Sequence, residues 1–528
     1  MLARAYSGTI VGIEAKPIVV ETHRGKGLPG LTLIGMAKGA VKESVIRVRS
    51  ALLAHGYSLG TQRMVANLLP AELPKEAASL DLGLAVSLLV SAKYLDDSAI
   101  EGRWFFGELS LGGRLEPVRG AVQMAAMLRE LKHHAGEVQE LIVPKANALE
   151  ASVIPGVRTY GVETIEDLIG HLTGKSLLEP TQPLTTQRST LIERACLSEV
   201  RGQAWAKRGL EIAAAGGHNI LMLGPPGSGK TMLARRLAGL MPPLDPDECI
   251  EVTRIKSASS SRGLEALSVE RPFRAPHHST SEVALCGGGS YPRPGEITLA
   301  HRGVLFLDEF PEFSRRALES LREPLEEGTI HIARASLSVE FPAEVVLVAA
   351  MNPCPCGYFD FRSHPNERRE IQQPCVCSVE QVQRYRARIS GPLLDRIDIH
   401  VGVEPVAFEH LFGASHEEPS SEVAERVKAA RELQIARQGF GTTNATLSTE
   451  SLFEIVRNEP SLRGSVEGIM RQENLSARAM GRVLRVARTI ADLRQTDSLA
   501  VRDLHEAMAF RLLERAQPTV GLSSLIAH

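Results

Sequence analysis

Hydrophobic and polar positions follow three successive rhythms along the chain. Over residues 1–170, short β-type runs (GTIVGIEA, LTLIGMA, RMVANLLP, ELIVPKA, VRTYGVE) alternate with segments of helical spacing such as VKESVIRVRSALLAHG. That pattern predicts an α/β unit. The polar stretch SLLEPTQPLTTQRST (176–190) carries Pro and Thr and reads as a linker. From Leu191 to Glu404, the apolar runs NILMLG, GVLFLD, EVVLVAAMN and DIHVGVE alternate with helical segments, predicting a second α/β unit. Beyond the acidic loop SHEEPSS (415–421), SEVAERVKAARELQIARQ and SARAMGRVLRVARTIADLRQ place apolar residues at helical spacing with basic ones interleaved. The expected order is α/β (1–175), linker (176–190), α/β (191–414) and all-α (415–528), with no internal repeat.

Composition changes this picture little. The chain has 528 residues, room for three or four domains at ~150 each. It is 43% hydrophobic and 23% charged, with a net charge of −2, so any nucleic-acid surface must be local. Seven cysteines is few and odd for a disulfide scaffold and points to a reducing compartment. The start, MLARAYSGTIVGIEA, lacks the apolar core of a signal peptide, and no run of ~18 apolar residues occurs. A cytoplasmic protein with no membrane segment is expected.

The chemistry lies in the second unit. GPPGSGKT (Gly224, Pro225, Pro226, Gly227, Ser228, Gly229, Lys230, Thr231) fits G-x-x-x-x-G-K-[ST] between a strand and the helix TMLARRLAGL. Its backbone N–H groups would close round a phosphate, Lys230 would reach the β- and γ-phosphates, and Thr231 would hold Mg²⁺. GVLFLDEF then ends a buried strand on Asp308 and Glu309. Asp308 suits Mg²⁺, and Glu309 suits orienting and activating water, so the expected reaction is ATP hydrolysis.

EVVLVAAMN ends on Asn352. At the carboxyl end of a strand its amide would either position water against the γ-phosphate or cap the turn before Pro353. Arg396, in GPLLDRID, is either an ion-pair partner of Asp395 or Asp398, or an arginine finger for a neighbouring subunit. Arg478 opens a helix in LSAR, as a solvated charge or as a group leaning over the nucleotide.

The order EVRGQ, GPPGSGKT, GVLFLDEF, VLVAAMNPCPCG, GPLLDRID, LSAR resembles the magnesium-chelatase-like AAA+ ATPases, and most of all the ComM/YifB family. LPKEAASLDLGLAVSLL, FFGELSLGGRLEPVRG and FRAPHHSTSEVALCGGG extend the resemblance over nearly the whole chain. It implies that Asn352 is sensor 1, Arg396 the arginine finger and Arg478 the sensor 2 arginine, in a homohexameric ring with ATP between subunits. It also implies a helix-2 insert within 271–300 and a hairpin at TIHIARASLSVEF (329–341), both of which point into the pore of related ring motors. The family suggests a DNA helicase that promotes branch migration as incoming single-stranded DNA recombines in natural transformation. Basic side chains would grip DNA; those available are Arg334 in the hairpin and Arg271, Arg274, His277 and His278 in the insert. The competing reading is a protein-remodelling ATPase like the chelatase motor subunits.

The first unit resembles the Lon protease domain, with Ser79 of LPKEAASLDLG at the position of the nucleophile. Val122 stands where the dyad lysine belongs, and Lys75 and Arg119 fall elsewhere. A serine without a base is not activated, so no peptidase is expected. Four cysteines remain: Cys354-x-Cys356 and Cys375-x-Cys377 supply the ligand count of a closed Zn²⁺ site, with His364 between them as a substitute ligand.

Overall fold

The computed structural model describes residues 2–511 apart from 29, 36–37, 61, 74, 76–77, 136–138, 184–194, 261–263, 265, 290–291, 335–336, 360–373 and 406–416. The boundary at 414–415, most of the linker's second half and His364 lie outside the described residues.

The continuous apolar runs of the second unit become parallel strands, each buried on both faces as such composition requires. The sheet runs Phe273–Arg274, Val304–Leu307, Val346–Met351, Ile220–Leu223, Ile399–Gly402, all neighbours parallel. Leu307 pairs with Ala349 and Leu223 with Met351, so three strands end on one edge. That edge carries the loops of Asp308, Asn352 and Gly224, the place where open α/β sheets bind ligands.

The first unit is also α/β. Its seven-stranded mixed sheet has Leu2–Val11 antiparallel to Glu14–Gly25 and parallel to Arg103–Phe105. Helix Asp81–Ser91 is buried along its whole length. This unit docks on the second at two places. The turn at Gly12 and Ile13 lies against Val339 and Phe341, and Arg129 pairs with Asp247 at the start of helix Pro246–Ser259. That helix starts sharply because Asp245 caps it in a reciprocal capping box.

The C-terminal region is helical: Ser420–Gln438, Thr449–Asn458, Pro460–Gln472, Ala477–Leu493 and Val501–Ala509. It does not build a separate core. Val427, Leu484 and Phe510 pack in the same buried cluster as Leu210, Ile220 and Val401 of the sheet unit. At this seam His218 bridges Asp398 (3.0 Å) and Thr489 (2.8 Å). None of the described helices is long and apolar enough to cross a membrane.

Candidate active site

The phosphate loop is shaped by close approach. A Cβ on Gly224 would lie 2.1 Å from the Val403 carbonyl oxygen, so only glycine fits there. Helix Lys230–Leu240 follows Gly229 and points its N-terminus at the loop. The Ser228 hydroxyl is buried with no hydrogen-bond partner among the described residues, a group that a phosphate oxygen would satisfy. Lys230 Nζ donates to the carbonyls of Gly224 (2.7 Å) and Pro225 (2.9 Å) and to Asn352 Oδ1 (3.3 Å). Burial lowers its pKa and the Asp308 carboxylate opposes that shift.

Thr231 Oγ1 donates to Asp308 Oδ2 at 2.9 Å. These are two hard oxygen groups of the kind Mg²⁺ takes, beside a phosphate cradle. Asp308 Oδ1 accepts from the Glu309 backbone N–H at 2.9 Å, and Glu309 sits at φ +50°, a left-handed conformation sparsely populated by non-glycine residues. Its carboxylate meets His278 Nδ1 at 2.8 Å. The sequence did not signal that pairing: His278 attracts notice there only as a basic residue of the insert. The structure therefore brings Lys230, Thr231, Asp308, Glu309 and Asn352 together on one sheet edge.

The two distal arginines form a second group. Arg396 pairs with Glu326 and donates to the carbonyls of Arg322 (3.1 Å) and Pro392 (2.7 Å). Arg478 reaches the other oxygen of Glu326 at 3.3 Å. Neither acidic neighbour of Arg396 is its partner: Asp395 takes Arg482 and Asp398 takes His218. Burial, then the charges of Arg478, Arg322 and Arg482, lower the pKa of Arg396. Two guanidiniums thus share one carboxylate, with Arg322 and Arg482 near enough to act on Arg396.

The remaining basic residues divide. Arg334 is exposed near the tip of the hairpin Thr329–Arg334/Leu337–Pro342. A Cβ on Gly288 of the insert would lie 3.6 Å from its guanidinium, so hairpin and insert are neighbours. The rings of His277 and His278 lie with centroids 4.0 Å apart, tilted by 37°. Arg271, in contrast, is turned inward: it binds Pro242 O, Arg302 O (2.7 Å) and Glu248 (3.1 Å). Arg274 is engaged in a two-pronged pair with Glu296 at 2.7 and 2.8 Å.

In the first unit Ser79 is buried, Lys75 donates to the carbonyls of Pro70 and Leu73, and Val122 lies in the core. Arg119 lies in the segment before helix Ala121–Ala135.

The cysteines of both C-x-C pairs meet. Sγ separations are 3.3 Å (Cys354–Cys356), 3.5 Å (Cys356–Cys375) and 3.7 Å (Cys354–Cys375), and all four sulfurs lie within 4.8 Å of one another.

Comparison with known proteins agrees with this architecture. Residues 196–411 match the family model described as magnesium chelatase, subunit ChlI. Residues 20–147 match subunit ChlI of Mg-chelatase, and 417–511 its C-terminal part. YifB of Escherichia coli is 41% identical over 516 residues, covering 97% of this chain and 98% of that protein. Competence protein ComM of Haemophilus influenzae is 39% identical, again covering 97% and 98%. DNA replication licensing factor MCM4 of Oryza sativa is 25% identical over 56% of this chain and 31% of that protein.

Proposed function

Because the chain belongs to the ComM/YifB family of magnesium-chelatase-like AAA+ ATPases, we propose that it is a ring-forming, ATP-driven DNA motor. In this reading it is a cytoplasmic helicase. It promotes branch migration as incoming single-stranded DNA recombines during natural transformation. The name of the Haemophilus relative supports the link to competence, and that of the rice relative the link to DNA.

The observation that carries the reading is the contact between His278 and Glu309. It joins the insert to the carboxylate that activates water. Arg334 stands beside that insert, so DNA drawn to Arg334, His277 and His278 would act on the hydrolytic group directly. Lys230 and Ser228 take the phosphates, Thr231 and Asp308 hold Mg²⁺, Glu309 orients the attacking water, and Asn352 positions it against the γ-phosphate. Arg396, held on Glu326, acts on a neighbour's ATP as the arginine finger, which requires a ring, and Arg478 leans over the nucleotide as the sensor 2 arginine; a homohexamer is the form this family suggests. The first unit serves assembly, DNA contact or partner binding rather than peptide cleavage.

The thiol cluster is read as a Zn²⁺ site. With Zn–S bonds of about 2.3 Å, a tetrahedron has edges of about 3.8 Å, close to the sulfur spacings in this chain. A multi-iron cluster would hold the sulfurs apart by its own width.

Measurement of ATP turnover with and without DNA tests the proposal. Single-stranded or forked DNA should stimulate hydrolysis in the wild type, and His278→Ala or Arg334→Ala should lose the stimulation. Turnover indifferent to every DNA form, but stimulated by a protein partner, would replace the DNA motor with a protein remodeller.

A further inference from the structure

We infer that the four-thiol site is a clip that sets the nucleotide pocket: a zinc-class ion held there keeps Asn352 and the phosphate loop in their working positions. The inference rests on reading the thiols as a zinc site and deepens that reading by assigning the ion a task.

Both ends of the ligand set run straight into the ATP machinery. On one side, strand Val346–Met351 ends, Asn352 and Pro353 follow, and Cys354 is the first ligand. On the other, Cys377 is followed by Ser378, which caps helix Val379–Arg386 in a capping box. That helix returns to the Asn352 segment. The Tyr385 hydroxyl lies close to the Asn352 backbone. Arg386 Nε donates to the Pro353 carbonyl at 3.4 Å, and its guanidinium lies 5.3 Å from the centre of the Phe359 ring.

The turn between the first two cysteines also presses on the phosphate loop. Gly357 closes it, donating to the Cys354 carbonyl at 3.0 Å, while Phe359 N–H donates to Cys354 Sγ at 3.3 Å. Gly357 has φ +90°, and a Cβ there would lie 2.6 Å from Pro226 Cδ. Backbone therefore lies directly against Pro226 of the loop that carries Lys230. Lys230 in turn donates to Asn352, which closes a circuit from ion to knuckle to phosphate loop to Asn352 and back to the first thiolate.

The ion matters to this circuit because the two C-x-C pairs are separated by a long stretch of chain, residues 357–374. Four thiolates packed this closely repel unless a cation neutralises them, and without it the two pairs separate at the entropic gain of opening that loop. The Gly357 turn then loses its hold on Pro226, and Asn352 its fixed place.

The test combines metal content with nucleotide affinity, without DNA. Wild-type full-length protein, a Cys375→Ser/Cys377→Ser double variant, chelator-treated wild type and Gly357→Ala are compared. Zinc is measured by elemental analysis, affinity with a fluorescent non-hydrolysable ATP analogue, and folding by circular dichroism. The wild type should carry one zinc. The double variant should carry less than ~0.2 per chain, remain folded and bind the analogue about tenfold or more weakly, as losses of a metal's supporting shell do. Gly357→Ala should keep zinc and still lose affinity, and zinc should restore the chelated wild type. A wild type without zinc overturns the site. Zinc-free protein, or Gly357→Ala, with unchanged affinity overturns the clip. If the double variant fails to fold, the chelated wild type and Gly357→Ala decide alone. None of these outcomes depends on DNA, so the DNA reading stands or falls separately.

Discussion

Lys230 and Glu309 occupy the same sheet edge but do separable work. Lys230→Ala removes the charge that meets the β- and γ-phosphates, and nucleotide binding should be lost in an equilibrium assay. Glu309→Gln keeps size and hydrogen bonding but removes the base. It should bind ATP normally and turn over ~10²–10⁴-fold more slowly, the range for loss of a general base. Near-normal turnover in that variant would remove Glu309 from the mechanism. Arg396→Ala should lower turnover by ~10³–10⁵-fold at little cost to nucleotide binding. A mixture with Glu309→Gln chains should regain partial activity if the arginine acts across subunits. The shared sheet edge of Lys230, Glu309 and Asn352 was legible because motif and strand context coincide: GPPGSGKT, LFLDEF and VLVAAMN each join a buried strand to polar groups at its end. Glu326 was not legible. It lies 70 residues from Arg396 and 152 from Arg478, and only folding brings the three together. The inward contacts of Arg271 were not legible for the same reason, because its partners Pro242 and Arg302 lie 29 and 31 residues away.

Among elements, the strands were the clearest from sequence. Apolar runs of four to six residues bounded by turn residues can be little else within an α/β rhythm. Strand order was not readable, since it depends on which helices cross which face. That the C-terminal helices share the sheet unit's core was not legible: helix Ala477–Leu493 is amphipathic, but periodicity does not reveal that its apolar face completes that core. Helix Pro246–Ser259 offers a test at this scale. Burial alone would raise the pKa of its Glu251, but bonds from His301 and Arg302 overcome that and hold it at about 2, against an ordinary 4.5. A depressed acid stabilises the fold above its unfolded pKa and loses that stabilisation as pH falls through its folded value. Glu251→Gln should therefore flatten the loss of stability between about pH 4.5 and 2 in denaturant titrations. An unchanged slope would show that the His301 and Arg302 contacts contribute nothing.

For the whole molecule, the near-neutral charge of −2 means that the proposed DNA affinity would have to come from local groups and not from bulk attraction. The proposed contributors are Arg334, beside Gly288 of the insert, and the neighbouring rings of His277 and His278. In the proposed reading, the contact of His278 with Glu309 would couple occupancy of that site to hydrolysis, and Arg396, held on Glu326, would couple one subunit to the next. The resulting account is of a ring in which DNA contact and ATP turnover are one linked cycle. It is tested most directly by strand displacement on a labelled forked or three-strand DNA. The account predicts displacement that requires ATP and Mg²⁺ and is absent in Lys230→Ala and Glu309→Gln. A purified, ATP-hydrolysing wild-type protein that displaces no strand from either substrate would contradict it.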